Sequence, residues 1–97
     1  MMDWNRLLME HADRARRAVQ LVPRILSHPG LSFDQCTRLL TEIASIRSKL
    51  DMIQANIAAD GAPSSFALVT DQLGHIWNEL SEAAARRLKD FDELIAA

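Results

Sequence analysis

The chain has 97 residues, of which 48% are hydrophobic and 25% charged. This composition is typical of globular proteins and excludes disordered, collagen-like and membrane-spanning chains, and the length allows one domain with one core. Eleven Lys and Arg against thirteen Asp and Glu leave a net charge of −2, which provides no overall positive field for nucleic acid or anionic lipid.

A first helix is predicted over residues 3–27, with Asp3 as its N-terminal cap. Its apolar residues recur at intervals of three and four, which only a helix gathers on one face: Trp4, Leu8, Ala12, Ala15, Val19, Val22 and Leu26. Pro23 interrupts this pattern, because a proline inside a helix removes a backbone hydrogen bond and clashes with the preceding turn. A kink or an early stop is expected there, and a bent helix is favoured because the pattern continues to Leu26.

A second helix is predicted over residues 33–59, after the breaker cluster at residues 28–31. Ser32 and Gln35 have the spacing of a capping box, and Leu31 is placed to pack against Cys36 as a hydrophobic staple. The apolar residues then follow a heptad repeat: Cys36, Leu39, Ile43, Ile46, Leu50, Ile53 and Ile57. A repeat of this kind favours packing against other helices at a shallow angle.

A third helix is predicted over residues 65–95, after the second breaker cluster at residues 60–63, with Ser64 or Ser65 as its cap. Its apolar residues are Phe66, Val69, Leu73, Ile76, Leu80, Ala84, Leu88, Phe91 and Ile95. Gly74 lies inside this helix, where it costs about 1 kcal/mol relative to alanine. That cost suggests the close approach of a neighbouring helix at Gly74, with a flexible point in the helix as the alternative.

These three segments predict an all-α fold, a single domain over residues 1–97. Long helices joined by short turns run antiparallel to their sequence neighbours, so we expect an up-down-up three-helix bundle. The alternative is a helical hairpin of the second and third helices that is completed by dimerisation.

Two basic clusters stand out, Arg14-Arg16-Arg17 and Arg86-Arg87-Lys89. The first supports an alternative function, a nucleic-acid-associated regulator that uses the Arg-rich first helix. The favoured interpretation is a solvated face with internal ion pairs at i,i+4 spacing. The expected pairs are Glu10 with Arg14, Asp13 with Arg17 and Glu82 with Arg86.

No catalytic, cofactor or metal site is predicted, and the chain is not expected to be an enzyme. Asp71, His75, Glu79 and Glu82 share a helix face, but a metal needs convergent ligands from other elements. Cys36 lies on the apolar seam and is expected to be buried and unreactive. Because a single cysteine forms no internal disulfide and the first residues do not resemble a secretion signal, a cytoplasmic location is expected.

The function predicted from the sequence is a non-enzymatic protein interaction module that self-associates as a homodimer or binds an amphipathic helix of a partner, as adaptors, regulators and secretion chaperones do. Binding would follow the helix-in-groove mode. The expected anchors on the second helix are Leu39, Ile43, Ile46, Leu50 and Ile53, and those opposite them on the third are Leu73, Ile76, Trp77 and Leu80, with Trp77 at an exposed edge. Apolar residues beside or off the main stripes are the candidate interface: Met9, Leu40, Met52, Leu68 and Trp77.

Overall fold

The chain folds into three α-helices in a computed structural model that describes the backbone of residues 3–96 and the side chains of residues 3–93. Helix α1 spans Trp4–Ser27, α2 spans Phe33–Ala59 and α3 spans Ser64–Ala96. No strand occurs within residues 3–96. The prediction of an all-α helical bundle is confirmed.

Local side-chain chemistry sets the starts of α1 and α2. The Asp3 Oδ1 accepts a hydrogen bond from the backbone N–H of Arg6 at 3.1 Å. At α2, the Ser32 Oγ accepts from the Gln35 N–H at 3.1 Å, and the Gln35 Oε1 accepts from the Ser32 N–H at 3.0 Å. Both capping predictions are confirmed, because these side chains satisfy backbone donors that have no partner within the helix.

Helix α1 continues through Pro23 as one element and ends at Ser27. An early stop at Pro23 is therefore wrong. Pro23 is exposed, whereas Val22 and Leu26 on either side of it are buried. Burial of these two side chains holds the last turn in place despite the hydrogen bond that the proline removes.

Three long-range hydrogen bonds give the relative directions of the helices. The Trp4 Nε1–H donates to Asp60 Oδ2 at 3.1 Å, which joins the start of α1 to the end of α2. The Cys36 Sγ–H donates to the Ala84 carbonyl oxygen at 3.5 Å, and the Arg87 Nε–H donates to the Leu26 carbonyl oxygen at 3.0 Å. The helix ends are thus paired as an up-down-up order requires, in a body of 54 × 21 × 17 Å.

Helix α3 packs along both α1 and α2, whereas α1 and α2 approach each other much less closely. The most buried positions of α2 recur at seven-residue intervals, at Cys36, Ile43, Leu50 and Ile57. Between them, Leu39 and Ile46 stay half-buried. The predicted heptad thus faces α3, and the side of α2 that turns toward α1 is incompletely covered.

The buried face of α1 is largely the predicted one, with Trp4, Leu8, Ala15, Val22 and Leu26 in the core. Two positions differ. Val19 was expected in the core but is 48% exposed, whereas His11, outside the predicted stripe, is only 8% exposed. Ala18 is half-buried and Ala15 fully buried. The sequence pattern missed His11 because it counts apolar residues only, whereas tertiary packing also encloses this histidine.

The prediction of a close helix approach at Gly74 is wrong. Apart from its chain neighbours and the nearby backbone of its own helix, no atom lies within 4 Å of the place that a Cβ atom would occupy at Gly74. Gly74 therefore retains the entropic cost of glycine in a helix with no packing benefit.

Gly74→Ala is accordingly expected to raise the free energy of unfolding by about 1 kcal/mol, measured by urea denaturation. The contrasting variant is Gly61→Ala, because Gly61 has a φ of +66° and a side chain is strained there; it should destabilise by about 1 kcal/mol. A loss of stability in Gly74→Ala would show that another helix does approach this position.

Candidate partner-binding groove

A groove of about 580 Å³ opens where the end of α1 meets the start of α2. Its apolar side chains are Ile25 from α1, Leu31 from the connecting turn and Leu39 from α2. Arg24 and Arg38 lie on its two walls, together with Glu42. The groove is thus an apolar surface with a guanidinium on each side.

The turn between α1 and α2 lines part of this groove through His28, Gly30 and Leu31. The His28 Nδ1 accepts a hydrogen bond from the Gly30 N–H at 2.9 Å, and the Leu31 N–H donates to the His28 carbonyl oxygen at 3.2 Å. Leu31 and Cys36 both lie in the core, as the predicted staple requires. These contacts position Ile25 and Leu39 on opposite walls.

Arg87 of α3 contacts the C-terminal end of α1. Its guanidinium donates to the Leu26 carbonyl and lies 4.6 Å from the centre of the Phe91 ring, which in turn packs edge-on against Phe33 at 6.2 Å. Cations near a helix C-terminus satisfy its free carbonyls and favour its dipole. Arg87, predicted to belong to a solvated basic cluster, therefore has a structural role.

Apolar and basic side chains continue from the groove along α1. Leu21 and Ile25 are one helical turn apart and are 53% and 40% exposed. Arg17 lies one turn before Leu21, so it projects from the same side of the helix. This side of α1 extends the apolar surface of the groove and keeps it bordered by cations.

The ion pairs predicted for the two basic clusters do not form. Glu10 pairs with Arg6 at 3.6 Å and Asp13 pairs with Arg16 at 3.2 Å, so the predicted pairs with Arg14 and Arg17 are wrong. Glu82 and Arg86 likewise form no salt bridge among the side chains of residues 3–93. The acidic residues of α1 reach other partners because exposed i,i+3 and i,i+4 pairs differ little in energy.

Arg17, Arg24 and Arg38 form no salt bridge within that same part of the chain. The carboxylate that lines the groove is that of Glu42. Cations therefore outnumber carboxylates here, although the whole chain is slightly acidic.

The predicted interface residues do not form one surface. Met9, Met52 and Leu68 are 61%, 66% and 60% exposed, each on the outer side of a different helix. Leu40 is half-buried and packs against the core. Trp77, expected on an exposed edge, is 2% exposed; that expectation is wrong because the side chain belongs to the core of the bundle.

Most of the anchors predicted for helix-in-groove binding are used by the protein's own core. Ile43, Leu50 and Ile53 of α2 are buried, as are Leu73 and Leu80 of α3. Leu39, Ile46 and Ile76 remain half-buried. Of the predicted anchors, Leu39 is the one that lines the groove.

The other residues considered for chemistry, His75, Asp71 and Cys36, do not form a reactive or metal-binding site among the described residues. His75 Nε2 lies 3.6 Å from Asp71 Oδ2, and both side chains are exposed. Among the described residues, no three side chains of the types that bind metals converge. Burial raises the pKa of the Cys36 thiol, against a weaker opposing effect of Arg87, so little thiolate forms at neutral pH.

Sequence reasoning missed His11. Its Nδ1 is buried and, like the Trp77 Nε1, has no hydrogen-bond partner among the described side chains. Burial lowers the pKa of His11, and the positive charges of Arg14 and Lys49 lower it further, against Glu10. The signal was its spacing, since His11 lies three residues after Leu8 and four before Ala15.

Comparison of the chain with models of protein families, with curated proteins and with solved structures gives no match. Within residues 3–96, no helix has the combination of length and apolar content needed to cross a membrane. The function proposed below therefore rests on the groove.

Proposed function

We propose that this protein is an interaction module that binds an acidic amphipathic helix of a partner protein in the groove between α1 and α2. The observation that carries the proposal is the pairing of the apolar side chains of Ile25 and Leu39 with the guanidinium groups of Arg24 and Arg38 in one groove. The binding mode is that of a helix laid into a groove by its apolar face.

The shape of the bundle supports a helix as the occupant. Helix α3 already packs along both α1 and α2, while these two have few contacts with each other. A fourth helix would cover the half-buried Leu39 and Ile46. A helix there would also cover Leu21 and Ile25, which are exposed in the free protein. Burial of apolar area stabilises such contacts by about 25 cal/mol per Å² before the costs of association.

The charge of the groove supports an acidic occupant. Arg24 of α1 and Arg38 of α2 line the groove, and Arg17 lies one turn before the exposed Leu21 on α1. Carboxylates that flank the apolar face of a partner helix would pair with these guanidinium groups, and Arg presents a planar set of donors that suits a carboxylate. Charge complementarity of this kind selects the partner and its orientation more than it adds affinity.

The proposal is tested with two fluorescein-labelled synthetic helices that share leucines at i, i+3, i+4 and i+7 and carry either Glu or Lys at the flanking positions. We expect the Glu helix to bind in fluorescence anisotropy and the Lys helix to bind at least about tenfold more weakly. Leu39→Glu should weaken binding of the Glu helix by a similar factor, because a carboxylate replaces an apolar contact.

The matched control is Met52→Glu, which places the same charge on the outer side of α2. It should leave binding unchanged while circular dichroism shows both variants to be folded. Equal binding of the Glu and Lys helices, or equal effects of the two variants, would contradict the proposal.

Light scattering over a hundredfold concentration range tests the other occupant, a second copy of the chain. The proposal expects a constant mass near 10.9 kDa. A mass of twice this value would indicate a dimer. If Leu39→Glu then returned the mass to that of the monomer, the occupant of the groove would be a second copy of the chain, and the assignment to another protein would be overturned.

A further inference from the structure

His11 is an ionisable side chain enclosed in a core that is apolar apart from Thr70. It is 8% exposed, and its Nδ1 is buried without a hydrogen-bond partner among the described side chains. The adjacent core residues of α1 are Leu8 and Ala15. A buried polar group without a partner costs free energy, and a buried cation without a partner costs considerably more.

His11 lies on the side of α1 that faces α2. Residues seven apart return to nearly the same side of a helix, so His11, Ala18 and Ile25 form one line, and Ile25 lines the groove opposite Leu39 of α2. Lys49 of α2 is close enough for its charge to act on the His11 imidazole. The line of His11, Ala18 and Ile25 therefore connects His11 with the groove, between α1 and α2, the pair of helices with the fewest contacts.

The charges around His11 oppose a second positive charge. On its own helix Arg14 is unfavourable to an imidazolium and Glu10 is favourable, and on α2 Lys49 is unfavourable. No charged group from the described part of α3 contributes. Burial and the two cations together outweigh the one carboxylate, so a protonated His11 is not fully compensated in the closed bundle.

We propose that His11 is an acid-sensitive latch: when its imidazole takes up a proton from solvent, α1 detaches from the α2/α3 pair. Helix α1 is the element that can detach, because it contacts α3 less extensively than α2 does and has few contacts with α2. Two single hydrogen bonds mark its ends, from Trp4 to Asp60 and from Arg87 to Leu26. Detachment dismantles the wall of the groove that carries Ile25, so the latch makes the groove depend on pH.

The direction of the pH effect follows from linkage. In the closed bundle the pKa of His11 lies below its ordinary value, and after detachment it returns to about 6.5. The detached form therefore binds more protons below about pH 6.5, and the closed form loses stability as the pH falls below that value. One proton changes the ratio of detached to closed molecules by at most about tenfold per pH unit.

Amide hydrogen exchange, corrected for the intrinsic pH dependence of the exchange rate, tests the latch in the full chain. Between pH 7.5 and pH 5.5 we expect the protection of α1 amides to fall several-fold, while amides in the α2/α3 contact keep theirs. His11→Gln, which does not titrate in this range, should abolish the pH dependence of α1. His75→Gln, on the exposed side of α3, should leave it unchanged.

His11→Leu provides a second variant if glutamine prevents folding, since leucine suits an apolar site. Protection of α1 that is equal at both pH values would overturn the latch, as would a loss that persists in the His11 variants. Simultaneous loss of protection in all three helices would overturn it as well, because the event would then be unfolding of the whole domain.

Discussion

Trp77→Ala is expected to lower the free energy of unfolding by about 3–5 kcal/mol, a large part of the 5–15 kcal/mol available to a domain. Trp77 is 2% exposed and lies in α3, the helix that both other helices contact. Removal of its indole leaves a cavity between helices that cannot fully collapse around it. The measurement is urea denaturation followed by circular dichroism at 222 nm.

The matched control for Trp77 is Leu68→Ala on the same helix. Leu68 is 60% exposed, so this change should alter stability by less than about 0.5 kcal/mol. Trp77→Phe should cost much less than Trp77→Ala, because it keeps most of the buried ring and removes an indole N–H that has no partner in the described structure. If Trp77→Ala lowered the free energy of unfolding by less than about 1 kcal/mol, the Trp77 side chain could not be closely packed in the core.

Ala84→Leu is expected to destabilise the protein by about 1–3 kcal/mol through overpacking. Ala84 has no exposed surface, and its carbonyl oxygen lies 3.5 Å from the Cys36 Sγ across the α2/α3 contact. Three further carbon atoms fit there only if the two helices move apart. Thermal unfolding would show the change as a lower Tm.

Ala85→Leu makes the same substitution one residue later, at an exposed position of α3. It should change stability by no more than about 0.5 kcal/mol, since both residues are strong helix formers. Equal effects of the two leucines would contradict the close α2/α3 contact at Ala84.

The predicted and observed helices agree most closely where local chemistry decides. The Asp3 cap and the Ser32–Gln35 capping box act within four residues, so their outcome is independent of the rest of the fold. The heptad of α2 predicted its buried positions well, because a strict repeat leaves one apolar face. At Pro23 local chemistry does not determine the outcome, because α1 continues beyond the proline where Val22 and Leu26 are buried.

The candidate groove could be predicted only in part. Leu39 was among the predicted anchors, but its opposite wall was expected on α3 and lies on α1 at Ile25. The pairing depends on which two helices remain apart, and apolar periodicity alone does not distinguish neighbours in a bundle. Trp77 was misplaced for the same reason, because the width of an apolar stripe does not show how many helices cover it.

The sequence by itself determined three amphipathic helices, the positions at which they begin and end, and the turn residues that reverse the chain, since these depend on caps, breakers and spacing within a few residues. The tertiary structure decided which side of each helix is enclosed. It buried His11, exposed Val19 and left a cationic apolar groove between α1 and α2. The physical reason is that burial and charge balance arise from groups far apart in sequence, which meet only when α3 packs against both other helices.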